Sequence, residues 1–128
     1  MDHLDKFIGR AFREVVRTTR SWDFVFDGGV QIVVKCLWRL TDDGRVQVTN
    51  LQQDDPCGSA SAINTMLEVH RRLNGAACRA IDLRAGTFDL EVHFNTGHAL
   101  QVIPDSAGYD AWYEANRSCF TVLSVGQY

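Results

Sequence analysis

The stretch Trp22-Asp23-Phe24-Val25-Phe26-Asp27-Gly28-Gly29-Val30-Gln31-Ile32-Val33-Val34 decides the fold. Trp22, Phe24 and Phe26 alternate with Asp23 and Val25, the period of a strand with one face turned to a core. Asp27-Gly28-Gly29 reverses the chain, because glycine accepts the positive φ that tight β-turns demand. The return strand puts Val30, Ile32, Val34 and Cys36 on one face, with Gln31, Lys35 and Arg39 on the other. Later in the chain the design recurs: Phe88-Asp89-Leu90-Glu91-Val92-His93-Phe94, an Asn95-Thr96-Gly97 turn, then Ala99-Leu100-Gln101-Val102-Ile103. Gly9 corresponds to Gly75, Phe26 to Phe94, and Trp38 to Trp112.

The pattern predicts an α+β fold. Two antiparallel β units, about 7–50 and 73–126, are expected as pseudo-repeats within one domain spanning 1–128. One main helix, about 59–73, lies between them, and all share a single core. Phe24, Phe26, Ile32, Val34, Leu90, Val92, Phe94 and Val102 are the expected core, with Trp22 mostly buried. No catalytic residue recurs in both units, which points to binding before catalysis.

The remaining elements follow from local signals. Asp2–Ile8 reads as a short helix ended by Gly9, and 11–17 as a strand. Asp42-Asp43-Gly44 turns the chain into a strand over 45–49. Asp54-Asp55-Pro56 breaks the β pattern. Ser59 or Ser61 caps a helix that carries Ala62, Met66, Val69 and Leu73 at helical spacing and stops at Asn74-Gly75. This helix is expected to pack across a sheet. Further strands fall at about 77–84, 88–94, 99–103 and 119–125, with Pro104 interrupting after Ile103.

Composition narrows the function. The chain has 128 residues, 45% of them hydrophobic and 23% charged, which is ordinary for a folded domain. Its formal charge of −3, with no basic run, lacks a nucleic-acid footprint. No apolar run approaches the ~18 residues that span a bilayer. The opening Met1-Asp2-His3-Leu4-Asp5 lacks the pattern of a signal peptide. Cys36, Cys57, Cys78 and Cys119 form no C-x-x-C pair. Cytoplasmic residence with four free thiols is therefore expected, Cys36 and Cys78 serving as small core residues in strands.

Candidate chemistry is sparse. His93, His98 and Glu91 cluster around the second hairpin turn, but their spacing fits no ligand motif and reads as a solvated sheet face, with no metal or cofactor expected. Asp27-Gly28-Gly29 joins two strands, whereas a phosphate loop must open a helix. The acidic loops are the better partner-binding candidates. Asp42 and Asp43 occupy one turn and Asp54 and Asp55 another. Asp105, Asp110 and Glu114 bracket Tyr109, Trp112 and Tyr113. Acids around aromatic anchors suit a cationic protein partner.

Leu73-x-Gly75, the Phe88–Phe94 strand, Asn95-Thr96-Gly97, Leu100-Gln101-Val102, and Pro104-Asp105-Ser106 followed by Gly108-Tyr109-Asp110-Ala111-Trp112 resemble the immunity proteins found beside bacterial polymorphic toxins, of the Rhs and WapA type. Trp38-Arg39-Leu40 and the Asp43-Gly44 turn share that resemblance. It implies a non-enzymatic protein that neutralises one cognate toxin domain by stoichiometric occlusion. Two other readings remain open on the residues alone: a small-ligand binding domain with its cleft between the β units, and a small hydrolase built on His93 or His98.

Overall fold

The computed structural model describes residues 2–19, 21–49, 59–84, 86–104 and 120–124. A 3-10 turn, Asp2–Phe7, leads into β1 (Phe12–Arg17), β2 (Trp22–Phe26), β3 (Val30–Val34), β4 (Leu37–Asp42) and β5 (Arg45–Thr49). Helix α1 (Ser59–Leu73) follows, then β6 (Cys78–Leu83), β7 (Leu90–Phe94), β8 (His98–Ile103) and β9 (Phe120–Ser124). The described strands form two sheets, ordered β1-β2-β3-β9 and β5-β4-β8-β7-β6. Every ladder is antiparallel. The protein is thus α+β, and α1 has the limits read from sequence.

Each sheet draws on both halves of the chain. After β3 the backbone bends at Lys35-Cys36 and passes into β4, which pairs with β8 in the other sheet. Strand β9 returns to pair with β3. Alternation sends Trp22, Phe24, Phe26, Ile32 and Val34 inward from one sheet, and Trp38, Leu40, Leu90, Val92, Phe94, Leu100 and Val102 from the other. All are buried in one cluster, which includes the whole expected core. Trp22 and Phe24 meet Trp38 edge-on, with centroids 5.2 and 5.1 Å apart. Phe7 and Phe12 do the same to Phe26. Such contacts add about 0.5–1.5 kcal/mol each beyond burial. Phe26 stacks on Phe94, 6.1 Å between centroids and 3° from parallel.

Below that stack the chain crosses itself. Ala11 and Ala77 form an antiparallel bridge. Phe12 N–H donates to Ala76 O and Cys78 N–H to Arg10 O. Asp27 N–H donates to Ala11 O, and Asn95 N–H to Ala77 O, each at 2.9 Å. The ladder register slips between Phe12 and Glu14, and again between Cys78 and Ala80. At the Asp27–Gly29 turn Gly28 has φ +83 and lies under the Arg10 guanidinium, so a side chain there meets both backbone strain and a neighbour.

Helix α1 departs from expectation in its placement. It packs against β1 and β5, an edge strand of each sheet, rather than across a sheet face. The reason is visible in its polar contacts. Val15 N–H of β1 donates to His70 Nε2 at 2.9 Å, and Arg17 N–H reaches Met66 Sδ at 3.3 Å. An open strand edge carries unpaired backbone donors, and a helix that supplies acceptors protects it. Val69 and Leu73 of the same helix enter the core.

The thiol expectation is corrected. Cys36 is disulfide-bonded, and Cys57 and Cys119 lie outside the described residues. It lies in the bend between β3 and β4 rather than inside a strand. A disulfide needs proximity in the fold, which sequence spacing does not report. Cys78 is free, and burial pushes its thiol up to about 11. A thiol held protonated by the fold stabilises the protein below the ordinary thiol range, and that contribution is lost as pH rises toward 11. In native protein at pH 8, Cys78 should resist a thiolate-selective reagent and react promptly after denaturation; rapid native labelling at this position contradicts its burial.

Two substitutions probe the architecture. Phe94→Ala removes one ring of the stack and should cost about 3–5 kcal/mol in urea unfolding. His70→Ala strands the Val15 donor and should cost about 1–3 kcal/mol. An effect under a few tenths for His70→Ala would mean that the helix does not hold this edge.

Candidate functional site

The outer face of the five-stranded sheet concentrates the polar chemistry. Register puts Arg39 opposite Gln101, Gln101 opposite Glu91, and Glu91 opposite Asp82, one row across four strands. Strand alternation explains the row, since the inward neighbours Trp38, Leu40, Leu90, Val92, Leu100 and Val102 are all buried. The side chains are linked in sequence. Arg39 Nε donates to Gln101 Oε1 at 2.6 Å, and Gln101 Nε2 donates to Glu91 Oε2 at 2.6 Å. Glu91 Oε1 lies 3.3 Å from His93 Nε2, and that nitrogen lies 3.5 Å from Asp82 Oδ2.

Beside this row is an open concavity of about 430 Å³. Arg39, Glu91 and Gln101 of the row line it, together with the charged Asp82, Arg84 and Asp89. The β6–β7 connection closes on itself there. Phe88 N–H donates to Arg84 O at 2.7 Å, and Arg84 N–H to Asp89 O at 2.8 Å. Phe88 itself has φ +65 and is 37% exposed. A bulky residue in the left-handed region is strained by about 1–3 kcal/mol, and such strain collects at functional sites. Its conformation corrects the expected strand over 88–94, which begins at Leu90 instead.

The sequence-predicted residues are distributed unevenly. Asp42 ends β4 opposite His98, with Oδ2 3.9 Å from His98 Nε2, and Asp43 forms the turn with φ +56. Leu37 pairs with Ile103 at the other end of the same ladder, and Ile103 borders the concavity. The Asp42-Asp43 turn and the concavity therefore occupy opposite ends of the sheet. Asp54, Asp55, Asp105, Tyr109, Asp110, Trp112, Tyr113 and Glu114 lie outside the described residues. His93 and His98, which flank the second hairpin turn, have different partners. His98 bonds Thr96 through Nδ1 at 2.8 Å, while His93 gains Asp82 instead.

Sequence reasoning missed Arg39, Asp82, Arg84, Phe88 and Gln101. Asp82 was recoverable, because extending the hairpin register back from the Phe88–Phe94 strand brings β6 opposite Glu91. The strain at Phe88 had no signal, since the following residues suited a strand. The concavity is shared by the two β units, lined by Arg39 of β4 and by residues of β6, β7 and β8. The sheets meet through Trp22, Phe24, Phe26, Trp38 and Phe94, and the concavity lies on the outer face. Among the described residues no helix is long and apolar enough to cross a membrane. No family model, curated protein or solved structure matches the chain.

Proposed function

We propose that this chain is a non-enzymatic immunity protein that occludes one cognate bacterial toxin domain. The reading rests on the family resemblance of its motifs. The structural observation that supports it is an open outer sheet face rich in charged groups, with a strained and partly exposed Phe88 in the connection that leads into β7. An aromatic anchor surrounded by polar groups is the usual anatomy of a protein interface. Chain order favours the concavity end: β8 runs past it to Ile103 and Pro104, and the Asp105–Glu114 set follows directly in sequence. The Asp42-Asp43 turn, at the far end, then acts in long-range attraction of a cationic toxin surface.

The same reading takes 1–128 as one domain of two pseudo-repeats. Its support is the matched register slips after Phe12 and Cys78, and the paired bonds of Asp27 to Ala11 and Asn95 to Ala77. Cytoplasmic residence, expected from the N-terminal pattern and the cysteine spacing, and the Cys36 disulfide, a bond rare in reducing cytosol, make opposite demands. Fractionation of the producing cell decides between them. A small-ligand reading draws on the concavity and is separated by a thermal-shift screen, in which a metabolite stabilises the protein without any toxin present.

Co-expression with the adjacent gene product should give a one-to-one complex on co-purification. Phe88→Gly relieves the backbone strain, so stability should hold or rise while toxin affinity falls at least tenfold. Asp43→Ala should slow association with little change in dissociation. Tyr113→Ala and Asp110→Ala, with folding checked by circular dichroism, test the acidic-aromatic set. Protection of cells without any complex overturns occlusion; full affinity in Phe88→Gly moves the interface away from the concavity.

A further inference from the structure

Asp82 and Glu91 are direct cross-strand partners on a solvated face. Like charges placed opposite one another weaken a ladder, and a cation between them reverses the effect. The fold supplies a third donor. His93 brings Nε2 to 3.3 Å from Glu91 Oε1 and 3.5 Å from Asp82 Oδ2, and one donor atom from each of the three residues lies within 4.8 Å of the others. Zinc bonds of about 2.0–2.1 Å at tetrahedral angles hold neighbouring donors about 3.3–3.4 Å apart. The two spacings around the imidazole therefore match those across a tetrahedral ion.

We infer that Asp82, Glu91 and His93 form a site for one divalent transition-metal ion, with Zn²⁺ its best geometric match. The donor set, one imidazole and two carboxylates, suits zinc or manganese better than a thiophilic ion. Three protein donors leave a coordination position open. Outer partners hold the carboxylate in place: Gln101 takes Glu91 Oε2, and Arg39 takes Gln101, which leaves Oε1 toward His93. Supporting bonds of this kind orient metal ligands and tune their affinity. Solvent reaches the site, since the Asp82 side chain is 74% exposed and that of His93 29%. Asp82 and Glu91 also border the concavity, so the ion becomes part of its wall. His98 takes no part, being committed to Thr96 near Asp42. The inference stands independently of the immunity reading.

The full chain, stripped with EDTA and dialysed, is titrated with ZnCl₂ by calorimetry, then with MnCl₂. One Zn²⁺ should bind per chain. His93→Ala and Glu91→Gln should each weaken binding at least tenfold, while His98→Ala should leave it unchanged. Circular dichroism checks that each variant is folded. In two-dimensional NMR the His93 imidazole signals should shift as Zn²⁺ is added. Absence of saturable binding by the wild-type chain overturns the site. Undiminished affinity in both His93→Ala and Glu91→Gln overturns it equally, by placing the ion on other groups such as the thiols.

Discussion

The structure depends on the place where Phe26 and Phe94 stack above the Ala11–Ala77 bridge. Those two contacts join the start of each half to the other half. The ring stack holds the sheets together from inside, and the bridge ties their backbones at the margin. Phe12 and Cys78 on either side add hydrogen bonds to Ala76 and Arg10. Hydrophobic burial provides the force, and this crossing determines where it acts.

From that crossing follows the exchange of strands between sheets. The Lys35-Cys36 bend carries the chain from β3 to β4, and β9 returns to β3. Neither half can complete its own sheet alone, so the core forms when both halves are present. The arrangement also creates open edges. Helix α1 resolves one of them with His70 and Met66 as acceptors along β1. The helix is thus a seal for backbone hydrogen bonds as much as a source of apolar side chains.

Most of the fold was legible because its signals are local. Alternation placed Phe24, Phe26, Ile32, Val34, Leu90, Val92, Phe94 and Val102 in the core, and Gly28 and Gly97 marked reversals with positive φ. Sheet assignment was not legible, since which strands pair across distance depends on packing rather than period. The same limit applies to Cys36, whose bond is tertiary. The candidate site was half legible. Glu91 and His93 share a face by simple alternation, whereas Arg39 and Asp82 arrive from strands whose neighbours no local pattern names. Phe88 illustrates the opposite failure: a local β preference was overridden by the hairpin closure between Arg84 and Asp89.

The polar row on the outer face has an energetic logic of its own. A cross-strand pair of carboxylates adds repulsion to a ladder that has no need of it, and a threonine or glutamine at either position would pair better. The chain instead keeps Asp82 and Glu91 opposed, then fixes Glu91 with a neutral amide that is itself held by Arg39. Gln101 is a spacer: it keeps the Arg39 guanidinium from neutralising Glu91 directly and leaves the carboxylate charge directed at His93. A row built for stability alone would place Arg39 beside Glu91. One built to present negative charge at a defined point, to an ion or to a basic side chain, has the order seen here.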